Sequence, residues 1–308
     1  MLAAGLAVGA VAGYLGWQTR GNLGFALALR GATAGAMLVA AFAQAVATVV
    51  FHTVTANRIL SPSVMGFDRL FVLMQTVLVT LFGGEILART EGALRLIIQT
   101  LLMAGFATML YRWLFTNSRG GLYRTLLVGL ALGMAFDTIS TFLERLLHPT
   151  DYDLLSLELF GRITAVDAGL LPLSFGVCAA AGMVVWRRRH ILDALLLGRY
   201  LATSIGVDHR RELTIMLMVV ATLVSFSTAL VGPMTFFGFL AATLAYQLAG
   251  THRHAFVLPL AVLLGVIALA GGQFIMQHLF YAAGFLTVII EFVGGIVFLA
   301  ILLGGRKP

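Results

Sequence analysis

The chain contains 308 residues, of which 60% are hydrophobic and only 11% are charged. A soluble domain of ordinary composition carries about 25% charged residues, so this chain lacks the polar surface that covers a globule in water, and its apolar surplus is expected to face lipid. The formal net charge is +7, but the arginines cluster between apolar stretches and Lys307 is the only lysine. The composition therefore excludes a soluble enzyme, a nucleic-acid-binding protein, and chemistry that needs an internal lysine, such as a Walker A phosphate loop or a Schiff base.

Apolar stretches long enough to cross a membrane recur along the whole chain. A transmembrane helix requires about 20 apolar residues, and the breaks between charge-free stretches predict ten spans, at residues 2–17, 31–52, 64–84, 94–115, 122–143, 168–186, 213–231, 235–249, 256–276 and 285–303. The predicted fold class is therefore all-α, a polytopic membrane helix bundle of about ten transmembrane helices that forms one domain over residues 1–308.

The positions of the basic residues predict the orientation of these spans, because loops that face the cytoplasm carry an excess of Arg and Lys. With the N-terminus inside, the inner loops hold Arg58, Arg119, Arg187, Arg188, Arg189, Arg199, Arg210, Arg211, Arg253, Arg306 and Lys307. The opposite loops hold Arg20, Arg89 and the net acidic segment 144–167. Both termini are therefore predicted to be cytoplasmic.

The longest polar interruption on the predicted inner side is the segment 187–212. Its apolar residues keep helical spacing, while Gly198 and Gly206 permit a turn and a close approach of another chain. This pattern predicts a pair of short amphipathic helices that project into the cytoplasm. The alternatives are an interfacial helix lying on anionic lipid, which the arginines favour, and a plain solvated connector.

Two further segments interrupt the predicted spans. In residues 55–70, Pro62 ends one helical path and Gly66 loosens the next. The freed backbone groups are tolerated at membrane depth only where they are buried in protein or line a water-filled path. Residues 230–260 predict a short helix pair with Gly232 and Pro233 at its outer turn. Neither segment contains a catalytic motif, and both are expected to serve the movement of a solute.

These three segments, in this order and spacing, resemble the permease subunits of ATP-binding-cassette importers for iron(III)-siderophores and cobalamin. The motifs that carry the resemblance are Leu195-Leu196-Leu197-Gly198, Ser204-Ile205-Gly206-Val207-Asp208, Arg210-Arg211, and Gly232, Pro233, Phe236 or Phe237 and Gly238. The runs Asn57-Arg58-Ile59-Leu60, Met65-Gly66-Phe67-Asp68 and Glu291-Phe292-Val293-Gly294-Gly295-Ile296 are similar to the branch that serves catecholate and mixed-type siderophores. The resemblance extends over essentially the whole chain.

The resemblance implies a multi-pass permease of the bacterial inner membrane that moves an iron(III)-siderophore and is not itself an enzyme. ATP and magnesium would bind a partner, so no cofactor is expected on this chain. The implied partners are a second homologous permease in a heterodimer, two ATP-binding subunits, and a periplasmic or lipid-anchored substrate-binding protein. The residues implied in coupling to the ATPase are Leu195, Gly198, Arg199, Tyr200, Ser204, Gly206 and Asp208. Arg30 would meet an acidic side chain of the binding protein, or else snorkel and anchor the second span.

Polar residues along the second and third spans are candidates for the translocation path, from the resemblance and from their polarity. They are Gln44, His52, Thr55, Asn57, Met65, Asp68 and Gln75. The alternative for each is a hydrogen-bonded group within the bundle. No metal site is expected at His252 and His254, because no third ligand is in view and the iron would arrive wrapped by its chelator.

The acidic residues at membrane depth also allow functions other than an importer permease. A stand-alone ion-coupled secondary transporter would use Asp68, Asp137 or Glu291 to carry the coupling ion. An importer of the same class for cobalamin or haem is a second alternative. A membrane-embedded enzyme is disfavoured, because the sequence contains neither H-E-x-x-H nor G-x-S-x-G.

Overall fold

The computed structural model describes residues 2–16, 23–84, 92–117, 121–159, 163–278 and 286–303, and this part of the chain is entirely helical apart from its connections. Its helices are α1 (Leu2–Gly16), α2 (Leu23–Thr55), α3 (Asp68–Phe82), α4 (Ala93–Asn117), α5 (Gly121–Glu144), α6 (Pro149–Leu159), α7 (Leu171–Arg187), α8 (Arg189–Leu195), α9 (Arg199–Ser204), α10 (His209–Val231), α11 (Phe237–Ala249), α12 (His254–His278) and α13 (Leu286–Leu303). A π-helical turn at Ser63–Phe67 precedes α3, and short 3₁₀ turns at Ile163–Ala165 and Ala168–Leu170 precede α7.

The predicted all-α membrane bundle is confirmed. Among the described residues, 7 helices are long and apolar enough to cross a membrane, and the shorter apolar helices are Leu2–Gly16, Phe237–Ala249 and Leu286–Ala300. Each predicted span overlaps one of these helices. The count of ten spans and the orientation stay predictions. Five of the residues that predict the orientation lie outside the described ranges: Arg20, Arg89, Arg119, Arg306 and Lys307.

Helix α2 forms the centre of the bundle. In an apolar 18-residue window of Arg30–Thr55, 89% of the residues are buried, and α2 contacts α1, α7, α10, α11 and α12. Fully buried alanines occur on two of its faces, at Ala36, Ala40, Ala41, Ala43, Ala45 and Ala47. These small side chains let neighbouring helices approach closely where lipid gives no hydrophobic drive for association. The alanine-rich sequence therefore explains why this helix is central.

Two of the interrupted segments meet inside the bundle. Helix α11 has 13 residues, a length of about 20 Å, which is shorter than the ~30 Å hydrocarbon core. The turn before it contacts the connection between α2 and α3, where the hydroxyl of Ser61 donates to the carbonyl of Thr235 at 3.4 Å. The predicted break at Gly66 is present, since its φ is 105°. A Cβ at Gly66 would lie 3.3 Å from the Cα of Gly133 in α5, so the absent side chain allows the close packing of these segments.

Candidate coupling and translocation site

The segment 187–212 folds as the two short helices α8 and α9, as its periodicity predicts. Glycines end each of them: Gly198 has φ 86° and ψ 167°, and Gly206 has φ 89°. Backbone with these angles is open to glycine and strained for other residues. A Cβ at either position would meet no atom within 4 Å. The conformation of the turn, rather than crowding within this chain, therefore requires glycine.

Helices α8 and α9 have a buried side and an exposed side. Leu192, Leu195 and Ala202 are buried against the bundle. The exposed apolar residues are Leu197, Tyr200, Leu201 and Ile205, of which Tyr200 is 88% exposed. The predicted coupling residues Arg199, Ser204, Gly206 and Asp208 are also exposed, Gly198 is half-buried, and Leu195 lies on the buried side. An apolar patch of this kind marks a surface for contact with another protein or with a membrane.

An ion pair connects the two ends of this segment. The guanidinium of Arg188, at the end of α7, contacts the carboxylate of Glu212 in the first turn of α10. Glu212 is buried, and removal of one member of such a pair leaves an uncompensated charge. The pair therefore holds the helices on either side of α8 and α9 at a fixed separation.

A second connection runs from α8 into the bundle. Asp193 Oδ1 accepts from Nδ1 of His254 at 2.6 Å and from the backbone N–H of His254 at 2.9 Å. The other ring nitrogen of His254, Nε2, lies 2.7 Å from the hydroxyl of Thr53 near the end of α2. His254 is fully buried. Asp193 thus supplies a carboxylate to the N-terminus of α12, a favourable position for negative charge, and His254 joins α8, α12 and α2.

The end of α2 is formed by two of the predicted path residues. Ala56 has φ 48°, and the hydroxyl of Thr55 donates to the carbonyl of Phe51 at 2.7 Å. Asn57 Oδ1 accepts from the backbone N–H of Ile59 at 2.8 Å. These local hydrogen bonds offer the backbone an alternative to the helix and turn the chain towards the middle of the bundle.

An aromatic and cationic group covers this end of α2. The guanidinium carbon of Arg58 lies 4.5 Å from the ring centre of Tyr246 in α11, and the same guanidinium lies 3.0 Å from His252 Nδ1. The Tyr246 ring stacks on His52 with 6.0 Å between centres. His52 is buried. The predicted path residue His52 therefore packs against Tyr246, whose ring also contacts Arg58.

A pair of carboxylates converges on the turn between α10 and α11. Asp68 Oδ2 accepts from the hydroxyl of Thr235 at 2.8 Å, and Glu291 Oε1 lies 3.5 Å from the backbone N–H of Thr235. Asp68 is buried, and its Oδ1 has no hydrogen-bond partner among the described residues. This polar cluster sits where both chain segments leave helical geometry, as expected for backbone groups that need partners at membrane depth.

The remaining predicted residues lie elsewhere in the bundle. Gln44 contacts the hydroxyl of Ser227 at 3.5 Å, Gln75 contacts Gln99 at 3.4 Å, and Met65 packs against Gly129. The structure therefore does not bring Gln44 and Gln75 together with the group at the end of α2. Arg30 donates to the carbonyls of Tyr14 and Leu15 at 3.3 and 3.4 Å, so it satisfies free carbonyls at the end of α1.

Sequence reasoning missed the contacts of Asp193, Thr53, Tyr246 and Thr235. One signal was available for Asp193, which is the only acidic residue between Asp167 and Asp208. An isolated carboxylate in a basic segment is a candidate for a specific partner. The other contacts join residues that are distant in sequence, and no local pattern marks them.

The bundle, with its interrupted helices and its exposed short helices, defines a polytopic membrane transport subunit. The model of the FecCD transport family matches residues 5–304. This chain belongs to the FecCD transport family, as the resemblance in its motifs predicted.

Proteins with assigned roles are similar over most of the chain. The petrobactin import system permease protein YclO of Bacillus subtilis is 36% identical over 306 residues, covering 99% of this chain and 97% of YclO. The petrobactin import system permease protein FatC of Bacillus anthracis is 38% identical over 271 residues, covering 88% of this chain and 77% of FatC. FatD, a second petrobactin import system permease protein of the same organism, is 25% identical and covers 89% of this chain and 79% of FatD. Homologues therefore occur as permease pairs.

A solved structure supports the fold. A metal-chelate type ABC transporter in an inward-facing conformation matches with a TM-score of 0.81, covering 98% of this chain and 97% of that chain at 17% identity. At this identity the likeness concerns the fold alone.

Proposed function

We propose that this chain is a permease subunit of an ATP-binding-cassette importer that carries an iron(III)-siderophore across the bacterial inner membrane. The observation that carries the proposal is the family match over residues 5–304, together with relatives at 36% and 38% identity that are petrobactin import permeases. Petrobactin is therefore the first substrate to test. Deletion of the gene should abolish growth on ferric petrobactin as sole iron source while growth on inorganic iron at high concentration continues, and equal growth on ferric petrobactin would overturn the proposal.

The α8–α9 segment is proposed to dock on the ATP-binding subunit. Its apolar side chains are exposed, Tyr200 most of all, and lie beyond the ends of the spans. A protein surface that covers them would remove this apolar area from water. The positive-φ glycines Gly198 and Gly206 present the two helices at a fixed angle. ATP and magnesium would be bound by that partner, with no cofactor on this chain.

The chain Asp193–His254–Thr53 is proposed to transmit movement of the docked segment to the inner end of α2. It is the described hydrogen-bonded route from α8 to both α12 and α2. The group formed by His52, Arg58 and Tyr246 lies directly beside it. A shift of α8 would therefore move His52, Arg58 and Tyr246. These three residues are proposed to close the path at its cytoplasmic end.

A second, homologous permease is proposed to cover the exposed face of α5. Within the apolar stretch Leu127–Glu144, only 22% of the residues are buried, and Asp137 in its middle is exposed. Exposure of a carboxylate to lipid at this depth has a high free-energy cost, so such a side chain is expected to contact protein or water. The existence of paired relatives supports a heterodimer. A path between the two subunits would place Asp137 where cargo passes.

The substrate-binding protein is proposed to dock on the opposite side, near Arg30. Arg30 already donates to carbonyls of α1, and docking would bring an acidic side chain of the binding protein against the same guanidinium. Replacement by Gln should raise the concentration of loaded binding protein needed for half-maximal stimulation of ATP hydrolysis. If this concentration is unchanged, Arg30 does not contact the binding protein and serves only to anchor its helix.

A further inference from the structure

An apolar cleft opens between α2, α7 and α12, apart from the groups proposed above for coupling and transport. Its volume is about 490 Å³, within the ~300–1,000 Å³ range of ligand pockets. The residues that shape it include Phe42, Gly182, Trp186, Pro259 and Val262. Its lining presents almost no polar surface, so its occupant is expected to be hydrocarbon.

The depth of the cleft follows from the ends of its helices. Trp186 is the residue before the last of α7, and Pro259 lies five residues after the first residue of α12, about 8 Å along the helix. The absence of a side chain at Gly182 creates room, since a Cβ there would lie 2.6 Å from Cζ of Phe42. The cleft is therefore open at the level of the lipid leaflet adjoining the arginine-rich end.

Positive charge lies at the mouth of the cleft. The guanidinium of Arg189 stacks over the Trp186 ring at 4.8 Å from its centre and donates to the Trp186 carbonyl at 2.9 Å. Arg187, the last residue of α7 and the neighbour of Trp186 in sequence, is exposed. Arg188, in contrast, is bound to Glu212. Arg189 therefore lies against a residue that lines the cleft, and the sequence places the exposed Arg187 directly after that residue.

We infer that this cleft binds an anionic phospholipid, with one acyl chain in the slot and the phosphate at Arg187 and Arg189. Charge complementarity selects this occupant over a zwitterionic lipid, because basic pockets between transmembrane helices bind anionic headgroups. The Trp186 ring, apolar on its body and polar at its N–H, suits the boundary between headgroup and acyl chain. The inference is independent of the transported substrate.

Trp186 itself reports on the site. The full chain carrying Trp17→Phe and Trp113→Phe retains Trp186 as its sole tryptophan and is reconstituted in liposomes with phosphatidylglycerol or phosphatidylcholine that carries bromine, a fluorescence quencher, on its acyl chains. We expect brominated phosphatidylglycerol to reach half-maximal quenching of Trp186 at a several-fold lower mole fraction than brominated phosphatidylcholine. Equal quenching by both lipids, or quenching by neither, would overturn the inference.

Two sets of variants separate the parts of the site. Arg187→Gln with Arg189→Gln should abolish the preference for phosphatidylglycerol, whereas Arg210→Gln, which removes a charge at the start of α10, should preserve it. Gly182→Leu or Val262→Phe should fill the slot and reduce quenching by both lipids, with unchanged helical circular dichroism as the control for folding. A preference that survives the double arginine variant contradicts the proposed headgroup site.

Discussion

The carboxylate of Asp193 binds His254 twice, at the ring Nδ1 at 2.6 Å and at the backbone N–H at 2.9 Å. This pair joins the short helix α8 to the first residue of the long helix α12. Through Thr53, which lies 2.7 Å from the other ring nitrogen, it extends to the central helix α2. A displacement of α8 would therefore be transmitted to two membrane helices, α12 and α2.

Replacement of Asp193 by Asn should lower transport without preventing assembly. The amide keeps the size of the side chain but loses the charge, so both hydrogen bonds to His254 weaken, and a hydrogen bond to a charged group contributes ~1.5–3 kcal/mol. We expect several-fold less uptake per ATP hydrolysed in proteoliposomes of the complete importer. Asp153→Asn, at an exposed site in α6, serves as the control.

A double-mutant cycle tests whether the pair acts as a unit. Asp193→Ala and His254→Ala, alone and together, should show effects on uptake per ATP that are not additive, since residues in direct contact couple by ~0.5–3 kcal/mol. Additive effects would mean that the two residues act separately and that the proposed route of transmission is wrong.

Gly198→Ala should uncouple ATP hydrolysis from uptake. The φ of 86° and ψ of 167° lie in a region essentially restricted to glycine, and strain there costs ~1–3 kcal/mol. The α8–α9 angle should change while the membrane bundle remains intact, so the complex should still hydrolyse ATP but import less. Gly176→Ala in α7 is the matched control, because a Cβ there meets no atom within 4 Å. Normal uptake by Gly198→Ala would exclude this turn from coupling.

Gly66→Ala should destabilise the bundle. The new methyl group would lie on a backbone with φ 105° and 3.3 Å from the Cα of Gly133. Because the neighbouring atoms belong to the backbone of α5, they cannot move aside as a side chain can. We therefore expect the free energy of unfolding to fall by ~1–3 kcal/mol. The thermal unfolding midpoint in detergent measures this loss. Gly105→Ala in α4, where the space is open, should leave the midpoint unchanged or slightly higher, and an equal drop in both variants would contradict the explanation.

The sequence predicted the membrane bundle well because each buried helix carries its own signal, an uninterrupted apolar stretch. The break at Gly66 was also predictable, since Pro62 and Gly66 are local signals. The contacts of the candidate site were not. His254 and Thr53 are separated by 201 residues, and Thr235 and Asp68 by 167, so only the packing of helices around α2 brings them together. The pair His252 and His254 marks the loop before α12 in the sequence, but it does not reveal Asp193 as the partner of His254.

Thr235→Val should weaken the polar cluster between the interrupted segments. Val keeps the shape of Thr but cannot donate to Asp68, and an unsatisfied buried acceptor costs ~1–3 kcal/mol, more when it is charged. We expect a lower thermal midpoint and reduced uptake. Thr222→Val changes a half-buried threonine of α10 whose hydroxyl donates to the Met218 carbonyl of its own helix, and it should behave like the unmodified protein. Identical behaviour of the two variants would show that the Asp68 contact contributes nothing.

The most direct measurement is uptake of radiolabelled ferric petrobactin into proteoliposomes, with this chain present alone or with its second permease, ATP-binding subunits and binding protein. The proposed function predicts accumulation only in the complete assembly supplied with magnesium and ATP, and none with this chain alone under any ion gradient. Accumulation driven by a proton or sodium gradient with this chain alone would contradict it and would identify a secondary transporter instead.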